Sequence, residues 1–328
     1  MVVVITLLGG GIGAARLWCG IARVTDEPLV FVVNTADDIW MHGLRVCPDL
    51  DTVLYALSGR QDVRRGWGVA DESFRCMSEL RSLGSPVWFQ LGDRDLATHL
   101  FRTGMLRAGT SLSAVTRRLA DGMGVPHEVL PMTDDEVTTF VRTGTGETLH
   151  YQEFLVRRGA RDEVAAVHCR GVGDAAPADG VLRAIRESRL VVVGPSNPVA
   201  SVGPVLALPG VRPALRATPA RVVAVTPVVE GVPIDDEGEA TRARSRAALL
   251  AACGRRHTAA DVAALYQDFC DVFVVDQADA AAVAAIRRTG MRAVTARTLL
   301  PRRQDADALA RQVLDVAAHA DTCPSGHG

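Results

Sequence analysis

The sequence predicts an α/β protein with a doubly wound, mostly parallel sheet and a small antiparallel and helical insertion. Short runs of β-branched residues alternate with helical stretches along most of the chain, and strands flanked by helices form parallel sheets covered on both faces. Hydrophobic residues make up 48% of the 328-residue chain and charged residues 23%, which indicates a well-buried core. One domain over residues 1–328 is therefore expected.

The elements are predicted in order from the spacing of apolar residues. A strand at 2–8 leads into a helix over 13–23 and a second strand at 29–34. Four helices are expected next, near 51–58, 69–83, 94–102 and 111–122. Further strands are expected to end near 89 and to lie at 190–193, 221–225, 272–275 and 292–294.

The pattern changes between about 136 and 170. Runs at 137–141, 149–156 and 164–169 follow one another with only turn residues between them, which predicts an antiparallel insertion. We place this insertion, or lid, within about 111–188, and we expect the tail at 322–328 to be disordered.

Composition excludes several classes of function. The net charge is -2 with arginine and acidic residues interspersed, so no basic face for nucleic acid is expected. The seven cysteines are odd in number and scattered, which favours reduced thiols and a cytoplasmic protein. No apolar segment approaches the ~20 residues that span a bilayer, so no membrane partner is expected. The chain has no lysine, which excludes a Walker-type ATP site and Schiff-base chemistry.

The first strand runs directly into the glycine turn, Gly9-Gly10-Gly11-Ile12-Gly13. Glycines at a strand-to-helix junction let backbone N–H groups approach an anion, and the helix dipole adds positive potential. The turn therefore predicts a phosphate or diphosphate ligand. The alternative is an ordinary tight turn of an α/β protein.

Four carboxylates lie within fifteen positions after the second strand, at Asp37, Asp38, Asp49 and Asp51. Their mutual repulsion is costly unless a cation or hydrogen bonds offset it. Mg²⁺ suits such a cluster because it takes one or two carboxylates and completes its shell with water and substrate phosphate. The alternative is helix capping, for which Asp49 or Asp51 stands at a good helix start.

Three further loops follow apolar runs, at 89–99, 130–136 and 191–204, and a glycine-flanked tryptophan is a separate candidate for ligand contact. Ser196 and Asn197 stand in a proline-held loop after a predicted strand. Trp67 lies between two glycines, which leaves its indole available for stacking, although core packing is the alternative. Asp93 opens a helix and is a candidate cap, whereas Asp135 belongs to an acidic turn that we expect to be exposed.

No arrangement for nucleophilic catalysis is recognisable. The sequence lacks a nucleophile elbow and a His-Glu-x-x-His motif. The remaining chemistry is metal-assisted positioning of a phosphate ester for direct attack, which depends on charge neutralisation and alignment.

At these residues the chain resembles the 2-phospholactate and phosphoenolpyruvate transferase family of coenzyme F-420 biosynthesis. The resemblance is carried by motifs in the same order along the chain: 9–13, 34–38, 42–44, 48–52, 66–68, 92–97, 102–103, 131–135 and 194–198. It implies a Rossmann-like fold, usually a homodimer. The arginine-only, alanine-rich composition is similar to that of the actinobacterial branch, whose members are taken to use an enolpyruvyl donor.

The resemblance also implies a reaction. A guanosine-diphosphate-linked three-carbon acid would be joined to the ribityl hydroxyl of the deazaflavin FO, with magnesium as cofactor and GMP as the leaving group. The product would be coenzyme F-420-0 or its dehydro form, depending on whether the donor carries a lactyl or an enolpyruvyl group. The choice between the two donors stays open.

The roles that the resemblance implies fall on the candidate residues. Magnesium would lie near Asp37, Asp38, Asp49 or Asp51, and a catalytic carboxylate among Asp37, Asp49 and Asp51 would receive the hydroxyl proton. The phosphate would contact Gly10, Gly11 and Gly13, and the nucleotide would contact Ser196 and Asn197. The deazaflavin would be bordered by Asp49, Thr52, Trp67 and Met132.

Two alternatives belong to other classes of protein. A non-catalytic nucleotide-sugar sensor of a related family would carry Asp-Asp-Gly-Gly-Ser-Ser where this chain has Asp37-Asp38-Ile39-Trp40-Met41-His42, so this difference favours the transferase. A dinucleotide-dependent oxidoreductase is disfavoured because the glycine spacing differs from Gly-x-Gly-x-x-Gly.

Overall fold

A computed structural model describes residues 4–318. Its centre is a seven-stranded sheet in which every neighbouring pair is parallel. In spatial order the strands are β12 (Arg292–Ala296), β11 (Val272–Asp276), β10 (Arg221–Val225), β9 (Ser188–Val193), β1 (Val4–Gly9), β2 (Leu29–Val33) and β5 (Glu128–Pro131). This sheet confirms the predicted Rossmann-like, doubly wound α/β fold. The predicted tail at 322–328 lies outside the described residues.

Helices cover the sheet. In the first half of the chain they are α1 (Gly11–Val24), α2 (Pro48–Leu57), α3 (Arg75–Ser82), α4 (Asp93–Arg107) and α5 (Leu112–Met123). In the second half they are α6 (Val181–Glu187), α7 (Gly203–Ala207), α8 (Val211–Ala217), α9 (Glu237–Ala252), α10 (Ala259–Ala264), α11 (Val283–Arg287) and α12 (Arg303–Ala318). Within residues 4–318 no helix combines the length and apolarity needed to cross a bilayer.

Both faces of the central sheet are buried, as its apolar strands predict. Side chains alternate across β1, so Leu7 packs into one hydrophobic core with Trp18 of α1 and Leu50 of α2. Leu8 points to the opposite face and joins a second core with Val205 of α7. These two cores hold β1 rigidly in the middle of the sheet, with the glycine turn at its end.

The antiparallel insertion is present but narrower than expected. Its sheet has the order β7 (Thr148–His150), β6 (Thr138–Thr143) and β8 (Val164–Arg170). The predicted strand at 149–156 is wrong beyond His150, because Glu153–Arg157 forms a helical turn that buries Phe154 in a small core with Val141. The wider region predicted as the insertion, 111–188, also contains α5 and β5. These two elements belong to the central sheet and the helices that cover it.

Other local predictions also fail. The sequence pattern predicts neither β5 nor a short hairpin of β3 (Ile39–Met41) and β4 (Leu44–Val46), whose turn holds His42 and Gly43 at φ 52 and 76. The predicted helix at 69–83 begins only at Arg75, and no strand lies near 89. Apart from β5, which belongs to the central sheet, these segments pack into a small peripheral core around Met77 and Leu91. Tertiary contacts therefore decide their conformation, since each segment is too short to show a clear period.

Candidate functional site

Three loops meet at the carboxyl edge of the central sheet. β1 lies between β9 and β2, with Gly9 level with Val33 and Leu8 level with Val193. The loops that follow, at 10–11, 34–38 and 194–197, therefore lie side by side. This edge is the usual ligand position in open parallel sheets, and it contains most of the predicted site residues.

The glycine turn is held by close contacts with the rest of the protein. Ser196 Oγ accepts a hydrogen bond from Gly10 N over 3.1 Å and donates one to Gly10 O over 2.9 Å. A methyl group at Gly10 would overlap Asp49 Oδ2, and one at Gly13 would lie 2.5 Å from the carbonyl oxygen of Pro195. Gly11 has φ +75, a conformation that side chains other than glycine rarely adopt.

The turn already binds one anionic group of the protein itself. The carboxylate of Asp49, in the first turn of α2, accepts a hydrogen bond from the backbone N–H of Gly11. The N-terminus of α1 therefore faces a buried carboxylate. Binding of phosphate by Gly10, Gly11 and Gly13 stays a prediction, and such a ligand would have to share this turn with Asp49.

Asp37 and Asp49 form a pair joined by one amide. Asn34 Nδ2 lies 3.0 Å from Asp37 Oδ1 and 3.0 Å from Asp49 Oδ2, and donates to both. Both carboxylates are buried. Within the described residues, neither one contacts an arginine or histidine in an ion pair.

The electrostatics of this pair favour a neutral or cation-bound state. Burial and, secondarily, the charges of Asp49 and Asp38 hold the pKa of Asp37 well above its usual range. Burial raises the pKa of Asp49 to about 6, although the hydrogen bonds from Asn34 and Ser201 oppose this shift. Two buried carboxylates without a cation are costly, and a bound cation would remove that cost.

The other two predicted metal ligands have arginine partners instead. Arg102 of α4 makes a two-pronged ion pair with Asp51, and Asp51 Oδ2 also accepts a hydrogen bond from Cys47 N over 3.3 Å at the start of α2. Arg45 Nη2 lies 3.4 Å from Asp38 Oδ2. Burial raises the pKa of Asp38 to about 7 despite Arg45. The structure therefore does not bring all four carboxylates into one cation site.

The Arg102–Asp51 ion pair belongs to a buried polar network between α2 and α4. Arg102 Nη1 lies 3.2 Å from His99 Nδ1, and His99 Nε2 lies 3.1 Å from Asp95 Oδ1. Tyr55 donates a 2.5 Å hydrogen bond to the same Asp95 oxygen. Because both helices supply partners, this network fixes α2 and with it the position of Asp49.

The insertion reaches the site through three consecutive residues. Gln152 Nε2 donates to Asp37 Oδ2 over 2.7 Å, and His150 Nε2 lies 3.2 Å from the backbone oxygen of Asp38. The hydroxyl of Tyr151 accepts a hydrogen bond from Asn197 Nδ2 over 3.4 Å. The insertion therefore covers the Asp37 side of the carboxylate pair.

The remaining predicted residues differ in their surroundings. Thr52 is half-buried in the first turn of α2, and Trp67 is 37% exposed with the Arg65 guanidinium 5.2 Å from its ring centre. Met132 is fully buried in the main core directly after β5, and its contact with a deazaflavin stays a prediction. Asn197 Oδ1 accepts the N–H groups of Val199 and Ala200.

One simpler interpretation from the sequence is wrong in its partner and another agrees with the structure. Asp93 opens α4 but does not cap it, because its carboxylate accepts the backbone N–H groups of Arg75 and Cys76 and so caps α3. Asp135 and Glu136 are exposed, as expected for an acidic turn.

The carboxylate pair fits a magnesium ion better than the predicted four-ligand set does. In the part of the chain that the structure describes, no group of three or more His, Cys, Asp or Glu side chains could hold a metal ion. Mg²⁺ needs only one or two carboxylates when water and phosphate oxygens complete its shell. Asp37 and Asp49 supply this number with oxygen donors alone.

Sequence reasoning missed three residues that shape the site. Asn34 lies in the motif at 34–38, and the sequence does not show that its amide joins Asp37 to Asp49. Gln152 gave no signal, because it lies over a hundred positions from Asp37 in the chain. Arg102 belongs to the motif at 102–103, but the sequence does not show that its guanidinium is buried against Asp51.

The fold and the site define the chain as an open α/β protein with paired carboxylates beside a glycine turn at the carboxyl edge of its sheet. The family described as 2-phospho-L-lactate transferase CofD matches residues 5–318. The chain belongs to this family, and it is an enzyme of the transferase class.

Similar proteins agree with this assignment. A 2-phospho-L-lactate transferase of Methanosarcina acetivorans is 40% identical over 309 residues, which cover 94% of this chain and 97% of that protein. A phosphoenolpyruvate transferase of Kitasatospora aureofaciens is 44% identical over 295 residues, covering 88% and 89%. A solved UPF0052 family protein of Bacillus halodurans shares the fold, with a TM-score of 0.64 at 18% identity over 96% of this chain and 99% of that one.

Proposed function

We propose that this enzyme transfers a phospholactyl or phosphoenolpyruvyl group from a guanosine-diphosphate-linked donor to the ribityl hydroxyl of the deazaflavin FO. The printed names of the relatives, 2-phospho-L-lactate transferase and phosphoenolpyruvate transferase, support the two transferred groups. The acceptor, the nucleotide and the product in coenzyme F-420 biosynthesis follow from the resemblance of the motifs.

One observation carries the proposal. Asp37 and Asp49 are buried beside the glycine turn, share one amide donor and have no cationic partner among the described residues. A transferase of phosphorylated groups needs such a place for a magnesium ion, because the ion neutralises the diphosphate charge when it is bound. Asp38 and Asp51 do not share this place because arginines hold them.

The chemistry proposed is a direct displacement. The FO hydroxyl oxygen forms a bond to the phosphorus that carries the three-carbon acid, and the bond from this phosphorus to the bridging oxygen breaks. GMP leaves with that oxygen, and the hydroxyl proton passes to a carboxylate of the Asp37–Asp49 pair. Asn34 and Gln152 orient the pair, and the glycine turn lies against it.

The test is incubation of the enzyme with FO, magnesium and each synthetic donor, followed by mass spectrometry of the deazaflavin product. We expect a phosphodiester product and an equal amount of GMP with at least one donor, and no product when magnesium is removed by EDTA. The masses of the lactyl and enolpyruvyl products differ by two hydrogen atoms, which identifies the donor.

A different outcome would contradict the proposal. Absence of product with both donors, together with tight binding of UDP-sugars and no binding of FO, would favour the nucleotide-sugar sensor. The homodimer and the cytoplasmic location stay predictions, and light scattering of the purified enzyme tests the first of them.

A further inference from the structure

Arg16 is a half-buried arginine without a partner in residues 4–318. It lies on α1, three positions after the last glycine of the glycine turn. No hydrogen bond or ion pair joins its guanidinium to another described residue. A cation that has lost part of its hydration and gained no anion is costly, so its retention calls for an explanation.

This lack of a partner sets Arg16 apart. Each of the other arginines that is at least partly buried in the described part of the chain makes a hydrogen bond or an ion pair. They are Arg45, Arg65, Arg102, Arg158, Arg212, Arg221, Arg242, Arg244 and Arg246.

The guanidinium of Arg16 lies level with the first turn of α1. Helical side chains lean toward the N-terminus, so a long side chain reaches back about one turn. The environment of Gly66 shows this, because a methyl group there would lie 3.7 Å from Arg16 Nη2 and 3.9 Å from Ile12 Cδ1. Arg16 therefore lies between the glycine turn and the loop that carries Trp67.

The charges around Arg16 leave a positive excess. Burial and the charge of Arg242 on α9 lower the pKa of Arg16, whereas Glu239 and Asp236 oppose this shift. Glu239 is already bound, with one oxygen 2.9 Å from Arg242 and the other 2.9 Å from Arg246. Asp236 accepts the backbone N–H of Glu239 at the start of α9.

We propose that Arg16 binds a phosphate oxygen of the nucleotide donor. This inference rests on the proposed function and names a part of its donor site. A planar guanidinium can give two parallel hydrogen bonds to a phosphate, and a half-buried position strengthens them relative to water. Arg16 would thus hold the donor between the glycine turn and the loop that carries Trp67.

The test is calorimetric titration of the full-length enzyme with GDP, with inorganic pyrophosphate and with FO. Arg16→Met keeps the length and helix preference of the side chain and removes its charge. Arg117→Met is the matched control, because Arg117 is exposed on α5. We expect at least a tenfold loss of affinity for GDP and pyrophosphate with Arg16→Met, about 1.4 kcal/mol, and FO affinity within about twofold of wild type.

Thermal stability separates a binding role from a structural one. Without ligand, Arg16→Met should melt at or above the wild-type temperature, because it removes an unpaired half-buried charge. Arg16→Lys should retain part of the GDP affinity, since it keeps a point charge but loses the planar fork. A lowered melting temperature with equal losses for GDP and FO would overturn the inference.

The remaining outcomes are also decisive. Wild-type affinity for GDP and pyrophosphate in Arg16→Met would overturn the inference and leave the proposed function intact. A wild-type enzyme that binds GDP through Arg16 but forms no deazaflavin product would overturn the proposed function alone. A wild-type enzyme that binds neither GDP nor pyrophosphate would overturn both.

Discussion

Two pairs of carboxylates lie close together in this enzyme and have opposite surroundings. Asp38 and Asp51 each face an arginine, whereas Asp37 and Asp49 face only amides, a hydroxyl and backbone N–H groups. In the sequence, Asp37 is next to Asp38, and Asp49 lies two positions before Asp51. The comparison shows that an acidic cluster can divide into one half that is ion-paired with arginines of the protein and one half that has no cationic partner among residues 4–318.

The largest expected effect concerns the structural pair. Asp51→Asn leaves the buried guanidinium of Arg102 without its counter-charge, so we expect the free energy of unfolding to fall by about 3–5 kcal/mol in urea titrations. Adding Arg102→Met should recover part of this loss, because the uncompensated charge is then gone. If Asp51→Asn kept wild-type stability and lost activity, Asp51 would belong with the magnesium site after all.

The next effect concerns the pair without arginines. Asp49→Asn should lower turnover at least about 100-fold, a barrier change of about 2.7 kcal/mol, because it removes a charge that the cation needs. Its free energy of unfolding should fall by no more than about 1–3 kcal/mol, since the single amide oxygen can accept from Gly11 or from Asn34 but not from both. Steady-state kinetics and thermal melting check both expectations. Wild-type turnover with an unchanged magnesium requirement would contradict the assignment.

A smaller effect is expected where the insertion meets this pair. Gln152→Ala removes the donor to Asp37 Oδ2 and should lower kcat on the order of tenfold, because a buried acceptor loses about 1–3 kcal/mol without its partner. Gln152→Glu should be worse, since it places a third carboxylate against the pair. The control is Glu153→Gln, one position along the same segment. Equal activity of Gln152→Glu and wild type would show that the insertion does not position Asp37.

The smallest effect is a pH dependence of the stabilisation by magnesium. The folded-state pKa values of Asp37, Asp38 and Asp49 are raised, to about 7 for Asp38 and about 6 for Asp49, so folding favours their protonated forms. This contribution to the free energy of unfolding is fully present below the unfolded-state pKa of ~3.9, and it is lost as pH rises through about 6 to 7.

Magnesium binds the ionised carboxylates, so it should raise the melting temperature more at pH 8 than at pH 5. Differential scanning fluorimetry with and without the ion measures this difference. The double variant Asp37→Asn, Asp49→Asn should lose most of it. Equal shifts at both pH values, or a shift that persists in the double variant, would contradict cation binding by this pair.

The fold was predictable where apolar runs are long and buried on both faces. The central strands lie where the sequence predicts them, at β1, β2, β9, β10 and β11. Apolar β-branched runs between helices are typical of strands that are buried on both faces of a parallel sheet. The sequence could not show that the chain after His150 becomes helical or that β3 and β4 pair. Those segments are short, and their conformation depends on small peripheral cores.

For the site, the sequence by itself determined which side chains stand at the carboxyl edge of the sheet, because each follows directly on a strand or opens a helix. Only the tertiary structure decided which of these carboxylates have an arginine partner. Arg102 reaches Asp51 from α4, and Gln152 reaches Asp37 from the insertion. A sequence does not show whether the counter-charge of an acidic residue comes from the protein or from a ligand. That difference is decided only when distant elements pack together.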